Sequence, residues 1–385
     1  MRRILPALIG GLLLMIGACY ALLPVNLSGM GELGEPLAGP SLQERIQLPE
    51  GFTINYYAQG IRRARFMRFA PNGDLLVSSP DEGAVFLVER DADGDGRADN
   101  VRKLVTDLDW PHGIDLFDGW LYIAEMGRVV RVRYDAMQRE ITGEREVIVP
   151  DLPSGGNHRT RTLRFGPDHK MYVTIGSTCN VCDEADPRRA AMVRYEPDGS
   201  KPKLFATGLR NSVGFDWQPG TNDLYATDNG RDLLGDDFPP CELNRIVEGG
   251  FYGWPIANGN RVPDPDRGAG QDERIRASLP PAHGFVAHTA PLGIAFYRGK
   301  AFPERYRGAA FVAQHGSWNR RTLSGYRVVL LEFADGAIRE SDFAVGFEND
   351  QDVVGRPVDV LEGADGALYV SDDYAGAVYR ITYQG

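Results

Sequence analysis

The chain is poor in cysteine and carries fewer positive than negative charges. Its 385 residues include four cysteines, with 42 Lys and Arg against 53 Asp and Glu, for a net charge of −11. Such an acidic balance argues against nucleic acid as the main partner. The Cys-x-x-Cys pair Cys179 and Cys182 has no second pair and no matching His pair, so a structural zinc site is disfavoured. The sequence also has no Cys-x-x-Cys-His motif for attaching a c-type haem.

A long apolar run occurs at the N-terminus, over residues 4–23, directly after Arg2 and Arg3. A basic start, an apolar middle and small residues at the exit are typical of a secretory signal peptide. The run has about 20 residues, so an uncleaved membrane anchor is a second interpretation. Residues 16–19, which end at Cys19, are similar to a bacterial lipoprotein cleavage motif in which the cysteine is lipid-modified. We expect export to the periplasm, with a membrane tether formed by a lipid on Cys19 or by the apolar anchor.

Residues 24–47 are predicted to be a linker, because residues 28–41 are small, polar and rich in Pro and Gly. The folded domain is then expected over residues 48–385. In an exported protein, Cys179 and Cys182 are expected to form a small-loop disulfide, which leaves Cys241 free. A reactive redox pair is the alternative, although no thioredoxin-like strand and helix surround these cysteines.

One design recurs six times along the chain: a short apolar strand, a turn of Gly, Pro or Asp, and a second apolar strand. Equivalent starts lie at intervals of 46, 49, 50, 79 and 66 residues, at Arg68, Ile114, Leu163, Val213, Leu292 and Val358. A unit of about four strands recurring every 40–50 residues is the pattern of a propeller blade. We therefore predict an all-β fold, a six-bladed β-propeller of four-stranded antiparallel blades. Two separate β-sandwich domains are the alternative.

Two segments fall outside this repeat. Residues 231–283 are rich in Gly, Pro and Asp, and they are predicted to form an insertion that explains the longest interval. Residues 51–59 form an extra strand before the first unit. We expect this strand to pair with the last blade and so close the ring.

Polar and basic residues lie at or just before the first strands of five units. First strands line the central channel of a propeller, so the loops that lead into them surround one mouth. These residues are His112, His158, Arg210, Asn211, His288 and Arg356. Their equivalent positions favour one shared site over independent surface residues.

Several longer motifs resemble a known family. They are GGNHRTRTLRFGPDHKMYVTIG, ATGLRNSVGFDW, LYATDNGRD, GGFYGWP and GRPVDVLEGADGALYVSDD. In this order and spacing they resemble the soluble pyrroloquinoline-quinone-dependent sugar dehydrogenases, in the sorbosone-dehydrogenase-like and aldose branch. The resemblance covers residues 51–385. It implies a six-bladed propeller that holds the quinone with one calcium ion and oxidises a sugar or sugar aldehyde by hydride transfer. Because the sequence has no motif for attaching a haem, we expect the electrons to leave to an external acceptor, a cytochrome or a quinone pool.

The resemblance assigns roles to individual residues. His158 falls on the general base, and His112 and Asn157 fall on or beside substrate-contacting positions. The backbone carbonyls of Gly230 and Arg231 match the calcium ligands. The cofactor-binding set implied for this chain is Arg210, Asn211, Arg356, His288, Thr289, Asn319 and Arg320.

Three positions depart from the family pattern. Asn157 stands where the glucose enzyme has Asp, and Val358 replaces a second arginine. A cofactor-binding lysine of the fifth blade is not evident, and His315, Asn319 and Arg320 are the candidates to replace it. Weaker cofactor binding or a different substrate would follow from these departures.

Two other functions stay open. One is a calcium-dependent propeller hydrolase of the lactonase type, which would need a metal bound by inward Asp, Glu and Asn side chains. The other is a binding module without chemistry, in which the polar rim recognises an anionic ligand.

The segment 91–99 resembles a calcium loop. Asp91, Asp93, Asp95 and Asp99 repeat its 1, 3, 5, 9 spacing, with Gly96 at the turn. Arg102 stands where such loops have a bidentate Glu, and the loop is predicted to join two strands. A weak structural calcium site and an acidic hairpin tip are therefore both open.

Overall fold

A computed structural model describes residue 34 and residues 36–334 and 336–385. The predicted signal or anchor, Cys19 and the first part of the predicted linker lie outside these residues. Within the described part of the chain, no helix is both long and apolar enough to cross a membrane.

Six four-stranded antiparallel sheets form the ring, which confirms the predicted six-bladed β-propeller. Blade 1 comprises β2 (Met67–Phe69), β3 (Leu75–Ser79), β4 (Ala84–Glu89) and β5 (Asn100–Val105). Blade 2 comprises β6 (Ile114–Phe117), β7 (Trp120–Ala124), β8 (Val129–Asp135) and β9 (Glu140–Val149). Blade 3 comprises β10 (Arg161–Phe165), β11 (Met171–Ile175), β12 (Ala191–Tyr195) and β13 (Lys203–Thr207), with the short β17 (Gly250–Phe251) parallel to β13.

The other three blades follow the same order from the channel outward. Blade 4 comprises β14 (Ser212–Trp217), β15 (Leu224–Asp228), β16 (Cys241–Ile246) and β20 (His283–Phe285). Blade 5 comprises β21 (Pro291–Phe296), β22 (Ala310–Gln314), β23 (Arg327–Ala334) and β24 (Ala337–Ala344). Blade 6 comprises β27 (Pro357–Glu362), β28 (Leu368–Asp372), β29 (Ala377–Tyr383) and β1 (Phe52–Gln59).

The extra N-terminal strand closes the ring as predicted. β1 pairs antiparallel with β29, with Phe52 opposite Tyr383 and Ile54 opposite Ile381. The first and last parts of the domain thus share one sheet. This pairing removes the free edges that an open sheet would expose.

The predicted linker is wrong for residues 39–47. Residues Gly39–Arg45 form a short helix, α1, and Gln47 forms a β-bridge with Val345. Leu42 and Ile46 are buried in the apolar cluster between blades 5 and 6. These two side chains lie four residues apart, so one face of the helix covers the joint where the ring closes.

The prediction of an insertion over residues 231–283 is wrong in its first part, because that range contains β16, the third strand of blade 4. The insertion itself lies between β16 and β20 and contains little regular structure. It includes β17, the hairpin of β18 (Ala257–Asn258) and β19 (Val262–Pro263), and helix α2 (Asp272–Ala277). A 3₁₀ turn (Glu304–Tyr306) and a hairpin of β25 (Glu348–Asn349) and β26 (Asp352–Val353) interrupt blades 5 and 6. These additional residues lie in loops between the blade strands, so they do not change the four-stranded repeat.

Short polar side chains close the hairpins between first and second strands. Asn72 Oδ1, Asp168 Oδ1 and Asp365 Oδ1 each accept the N–H two residues ahead, at 3.1 Å in all three cases. Such turns bend the chain without a partner from elsewhere. They explain why the turn pattern in the sequence located the hairpins correctly.

Aspartates of the first strands, two of them buried and Asp115 partly buried, connect neighbouring blades. Asp115 accepts the N–H of Phe165 in the next blade at 2.8 Å. Asp216 does the same for Phe296, and Asp359 for Met67, both at 2.9 Å. Because these strands are the innermost ones, the hydrogen bonds lie beside the channel, and they fix blade 2 to blade 3, blade 4 to blade 5 and blade 6 to blade 1.

First strands also approach each other so closely that glycine is required. A Cβ on Gly214 of β14 would lie 2.8 Å from the Cα of Gly293 in β21 and close to the Leu292 carbonyl. Main-chain atoms cannot move aside as a side chain can. Gly214→Ala is expected to lower the free energy of unfolding by about 1–3 kcal/mol, the usual cost of overpacking.

Denaturant unfolding measures this effect, with Gly127→Ala as the matched control. A Cβ on Gly127 would meet only the Ser154 side chain, at 3.6 Å, which is an ordinary contact. Equal stability of the two variants would contradict close backbone packing between blades 4 and 5.

Candidate active site

A cavity of about 190 Å³ opens at one end of the ring. Its walls come from the loops before first strands β10, β14 and β21 and from the loops after second strands β15 and β22. Because adjacent strands are antiparallel, these loops meet at one mouth of the channel. The lining residues are His158, Arg210, Asn211, Asn229, Gly230, Asp232, Cys241, His288, Ala290, Leu292, Trp318 and Asn319.

Two arginines hold the loop that carries His158. Arg161 is fully buried and donates to the carbonyls of Pro153, His158 and Thr160 at 2.5, 3.0 and 2.7 Å. Arg189 donates to the carbonyls of Ser154 and Gly155 at 2.7 and 2.8 Å. The loop has no regular structure, so these bonds determine its path.

His158 presents one free ring nitrogen to the site. Its Nδ1 lies 2.9 Å from the Ser177 carbonyl and 3.0 Å from the Ser177 hydroxyl. A carbonyl can only accept, so Nδ1 carries the proton and Nε2 keeps its lone pair. Burial, the nearby charge of Arg210 and further arginines lower the pKa of His158 to about 3. The ring is therefore neutral at physiological pH, and Nε2 can accept a proton.

This lowered pKa gives a prediction for acid stability. Between pH 6.5 and the pKa of about 3, the unfolded chain binds a proton on His158 that the folded protein does not bind. The folded state therefore loses stability as the pH falls, at up to about 1.4 kcal/mol per pH unit from this group. His158→Ala removes that contribution. We therefore expect the free energy of unfolding, measured between pH 7 and pH 4, to fall less steeply for His158→Ala than for the wild type. An equal dependence on pH in the two proteins would contradict this prediction.

Arg210 is buried and fully engaged by the protein. Its Nε donates to the Asn180 carbonyl at 3.0 Å, and its Nη1 donates to the carbonyls of Asn229 and Gly230 at 3.1 and 2.8 Å. Its Nη2 donates to Asn180 Oδ1 at 2.9 Å and to Asp232 Oδ2 at 2.7 Å. All five N–H groups of the guanidinium thus have acceptors. Arg210 brings its positive charge to the cavity and fixes the two carbonyls.

Two loops meet over the cavity through polar contacts. Asn319 Nδ2 donates to Asp232 Oδ1 at 3.1 Å, and His288 Nε2 donates to the Gly235 carbonyl at 2.8 Å. Outside the cavity, Arg320 pairs with Asp237 at 3.1 Å. The loops after β15 and β22 are therefore connected by one contact in the cavity wall and by another outside the cavity.

Some buried acceptors in the cavity wall have no partner. The side-chain oxygens of Asn229 and Asn319 are buried and make no hydrogen bond within the described residues. An unpaired buried acceptor is costly, so such atoms usually serve a ligand or an ion. Both residues line the cavity, which makes it suitable for a group that donates hydrogen bonds or for a cation.

His112 and Arg356 lie outside this cavity, in a buried charged network. Asp373 accepts from Arg65 Nη1 and from His315 Nε2, both at 2.8 Å. Arg65 Nη2 donates to His112 Nε2 at 3.2 Å, and Arg356 Nη2 donates to His315 Nδ1 at 3.0 Å. Burial and the charge of Arg356 lower the pKa of His315 to about 4. The substrate and cofactor roles of His112 and Arg356 stay predictions.

Four other predicted residues lie outside the cavity lining. Asn157 is exposed in the loop, and Thr289 is buried behind the wall, where its hydroxyl donates to the Val286 carbonyl at 3.0 Å. Arg320 is held by the outer loop contacts, and the guanidinium of Arg231 binds Asp264 and Asp266. Their assigned roles also stay predictions.

The predicted calcium ligand Gly230 already has a cationic partner. Its carbonyl accepts from Arg210 Nη1 at 2.8 Å. A calcium ion at the same oxygen would compete with the guanidinium for it. The free Asn229 side-chain oxygen in the same cavity is a further oxygen ligand. The residues present therefore fit a cation, provided that Arg210 shifts.

Cys179 and Cys182 are joined by a disulfide, and Cys241 is a free, buried cysteine. Burial raises the pKa of the Cys241 thiol. Although Cys241 lines the cavity, it stays protonated and is not a reactive thiolate.

The acidic loop at residues 91–99 brings three of its four carboxylates together. Oxygens of Asp91, Asp93 and Asp99 lie within 4.8 Å of one another, whereas Asp95 is not in this group. If the loop binds calcium, Asp93→Ala should lower the melting temperature only when calcium is present. An equal loss in calcium and in chelator would support the alternative of an acidic hairpin tip. Asp95→Ala is the matched control, because its carboxylate is outside the group.

Sequence reasoning missed Asn229, Asp232 and Trp318. All three lie in loops after second strands, where only the resemblance assigned residues, namely Gly230, Arg231, Asn319 and Arg320, whereas the rim predicted from the repeat comprised loops before first strands. Trp318 stands next to the predicted Asn319, and an aromatic residue inside a polar loop was the available signal. Its half-buried ring gives the cavity one flat apolar wall.

The fold and the cavity define a propeller protein with a pocket at the channel mouth whose lining includes charged and polar side chains. The chain belongs to the glucose/sorbosone dehydrogenase family, whose model matches residues 123–380. It is 30% identical over 378 residues to an uncharacterised protein of Borreliella burgdorferi, covering 90% of this chain and 93% of that one.

Named relatives are more distant. The chain is 25% identical to the pyrroloquinoline quinone-dependent pyranose dehydrogenase of Coprinopsis cinerea, over 89% of this chain and 55% of that enzyme. It is 23% identical to the aldose sugar dehydrogenase of Escherichia coli K12, over 60% of this chain and 61% of that one. The chain thus spans about half the length of the fungal enzyme.

Solved structures share the fold. The holo quinone domain of the Coprinopsis cinerea pyranose dehydrogenase superposes with a TM-score of 0.75 at 21% identity, covering 88% of this chain and 97% of that domain. A calcium structure of a carbohydrate-active enzyme of Trichoderma reesei superposes with a TM-score of 0.77 at 21% identity, covering 92% and 100%.

Proposed function

We propose that the protein is a pyrroloquinoline-quinone-dependent dehydrogenase that oxidises a sugar or sugar aldehyde, with His158 as the general base. The observation that carries this proposal is the bond between His158 Nδ1 and the Ser177 carbonyl, which leaves Nε2 unprotonated in the cavity. Membership of the glucose/sorbosone dehydrogenase family supports the same reaction class.

The cavity suits such a cofactor in three respects. Trp318 offers a flat face to a planar ring system. Arg210 supplies positive charge for a ligand with three carboxylates, although its N–H groups have protein partners. The free oxygens of Asn229 and Asn319 can accept from a ring N–H or bind calcium. When bound, the quinone accepts a hydride from the substrate carbon.

The chain itself supplies the proton acceptor. As the hydride leaves a sugar carbon, the hydroxyl proton must leave as well, and His158 Nε2 can take it. Ser177 holds the ring so that this nitrogen keeps its lone pair. Burial is the main reason why protonation of His158 is disfavoured, and the charges of Arg210, Arg161 and Arg189 add to it. Ligand carboxylates in the cavity would reduce the part that comes from the arginines.

We also propose that the electrons pass to an external acceptor, a cytochrome or a quinone pool, in the periplasm. The apolar N-terminal run and the disulfide between Cys179 and Cys182 support export. A hydrolase is less well supported, because the one carboxylate of the cavity lining, Asp232, is already bound by Arg210 and Asn319.

Reconstitution tests the proposal. The purified protein is loaded with pyrroloquinoline quinone and calcium and assayed on a panel of sugars and sugar aldehydes with an artificial electron acceptor. We expect substrate-dependent dye reduction that requires the quinone. Quinone binding without any reduction would favour a binding module, and lactone hydrolysis without quinone would favour a hydrolase.

A further inference from the structure

The loop closed by the Cys179–Cys182 disulfide lies between His158 and Arg210. Ser177, which holds His158 Nδ1, also donates from its hydroxyl to the Cys179 carbonyl at 2.7 Å. Asn180, inside the disulfide loop, contacts Arg210. The loop therefore contacts Ser177, which orients the proposed base His158, and it contacts Arg210 directly.

Asn180 uses its carbonyl and both ends of its side-chain amide. Its carbonyl accepts from Arg210 Nε at 3.0 Å and from Trp254 Nε1 at 3.2 Å. Its Oδ1 accepts from Arg210 Nη2 at 2.9 Å and from the Asp232 N–H at 2.8 Å. Its Nδ2 donates to the Asp232 carbonyl at 3.0 Å. Asn180 thus orients two guanidinium nitrogens of Arg210 and both the backbone N–H and the backbone carbonyl of Asp232.

We propose that Asn180 is a positioning residue for the cavity and that the Cys179–Cys182 disulfide holds it in place. The proposal rests on the proposed dehydrogenase function, because it concerns the affinity of this cavity for the quinone. A loop closed after three residues has few conformations, so Asn180 stays aligned with Arg210 at little entropic cost. Arg210 in turn fixes the carbonyls of Asn229 and Gly230.

The first experiment needs no quinone. The Asp232 N–H is bonded to Asn180 Oδ1, so hydrogen–deuterium exchange of a peptide covering residues 229–236 reports this contact. Asn180→Ala and the double variant Cys179→Ser/Cys182→Ser should both speed exchange in this peptide. Asn55→Ala, an exposed residue of β1, is the matched control. Unchanged exchange in the double cysteine variant would overturn the role of the disulfide.

The second experiment measures quinone binding to the calcium-loaded protein by equilibrium dialysis. Asn180→Ala should weaken binding about tenfold, as expected for lost bonds to a charged group. Asn180→Asp keeps an Oδ1 acceptor for Arg210 and should recover part of the affinity. In an Arg210→Ala background, Asn180→Ala should have a smaller effect, because the part of its role that passes through Arg210 is already lost and only its bonds to Asp232 remain.

The outcomes separate this proposal from the proposed function. Equal quinone affinity of wild type and Asn180→Ala would overturn the positioning role. An undiminished loss in the Arg210→Ala background would overturn the positioning of Arg210 by Asn180, since the whole effect would then be independent of Arg210. If wild type binds no quinone, the proposed function fails, and the exchange experiment still decides whether the disulfide loop holds Asp232.

Discussion

His158→Ala is expected to lower turnover by about 10²–10⁴-fold, the usual contribution of a general base, while the fold and the quinone binding are retained. The side chain is half-buried in a loop, and the loop path depends on main-chain carbonyls held by Arg161 and Arg189. Removing the imidazole therefore leaves these supports in place. The loss should appear in kcat for every sugar that the enzyme accepts.

The measurement is steady-state turnover at saturating quinone and calcium, together with the quinone dissociation constant. His169→Asn serves as the control, because His169 is an exposed histidine in the turn between β10 and β11. Normal turnover of His158→Ala would show that the base assignment is wrong. His112 would not be an obvious replacement, since it is fully buried against Arg65 and its pKa is held well below the usual range by burial.

The repeated fold could be predicted because its determinants are local. Turns such as those at Asn72 and Asp365 bond to their own backbone, and the short apolar strands between them, such as β3 and β11, are buried along their whole length. Helix α1 could not be predicted in this way. Residues around it are rich in Pro and Gly, and its formation depends on burying Leu42 and Ile46 between blades that lie far away in sequence.

The same repeat pattern predicted part of the candidate site. Loops before first strands contribute His158 and Arg210, and their position in the repeat placed them at the mouth. Loops after second strands end at the same mouth, and they contribute Asp232 and Trp318, which were missed. Sequence position also does not determine where an ionic side chain points.

Arg356 illustrates this limit. It precedes a first strand, as Arg210 does, yet its guanidinium donates to His315, which is itself bonded to Asp373. A histidine from blade 5, itself bonded to a buried carboxylate at the end of β28, thus determines the environment of this arginine. Such long-range charge pairing is not visible in the local pattern of the sequence.

Gly176→Ala is expected to lower turnover by about 10²-fold, because it displaces two residues of the cavity wall. Gly176 follows β11, and a Cβ there would lie 2.5 Å from Asn211 Oδ1 and 2.6 Å from His158 Cβ. Real Cβ atoms do not approach other atoms so closely, so His158, Asn211 or both must move. A displacement of about 1 Å can cost roughly 10²-fold in rate when a reacting group is misplaced.

Turnover and melting temperature should be compared with those of Gly127→Ala, where the added methyl group meets only an ordinary van der Waals contact. Asn211 Oδ1 is at the end of a side chain and can rotate away, whereas His158 Cβ can move only with its loop, so we expect a lower melting temperature beside the loss of activity. Full activity in Gly176→Ala would mean that the rate does not depend on where His158 and Asn211 stand, which would contradict a base fixed beside the cofactor.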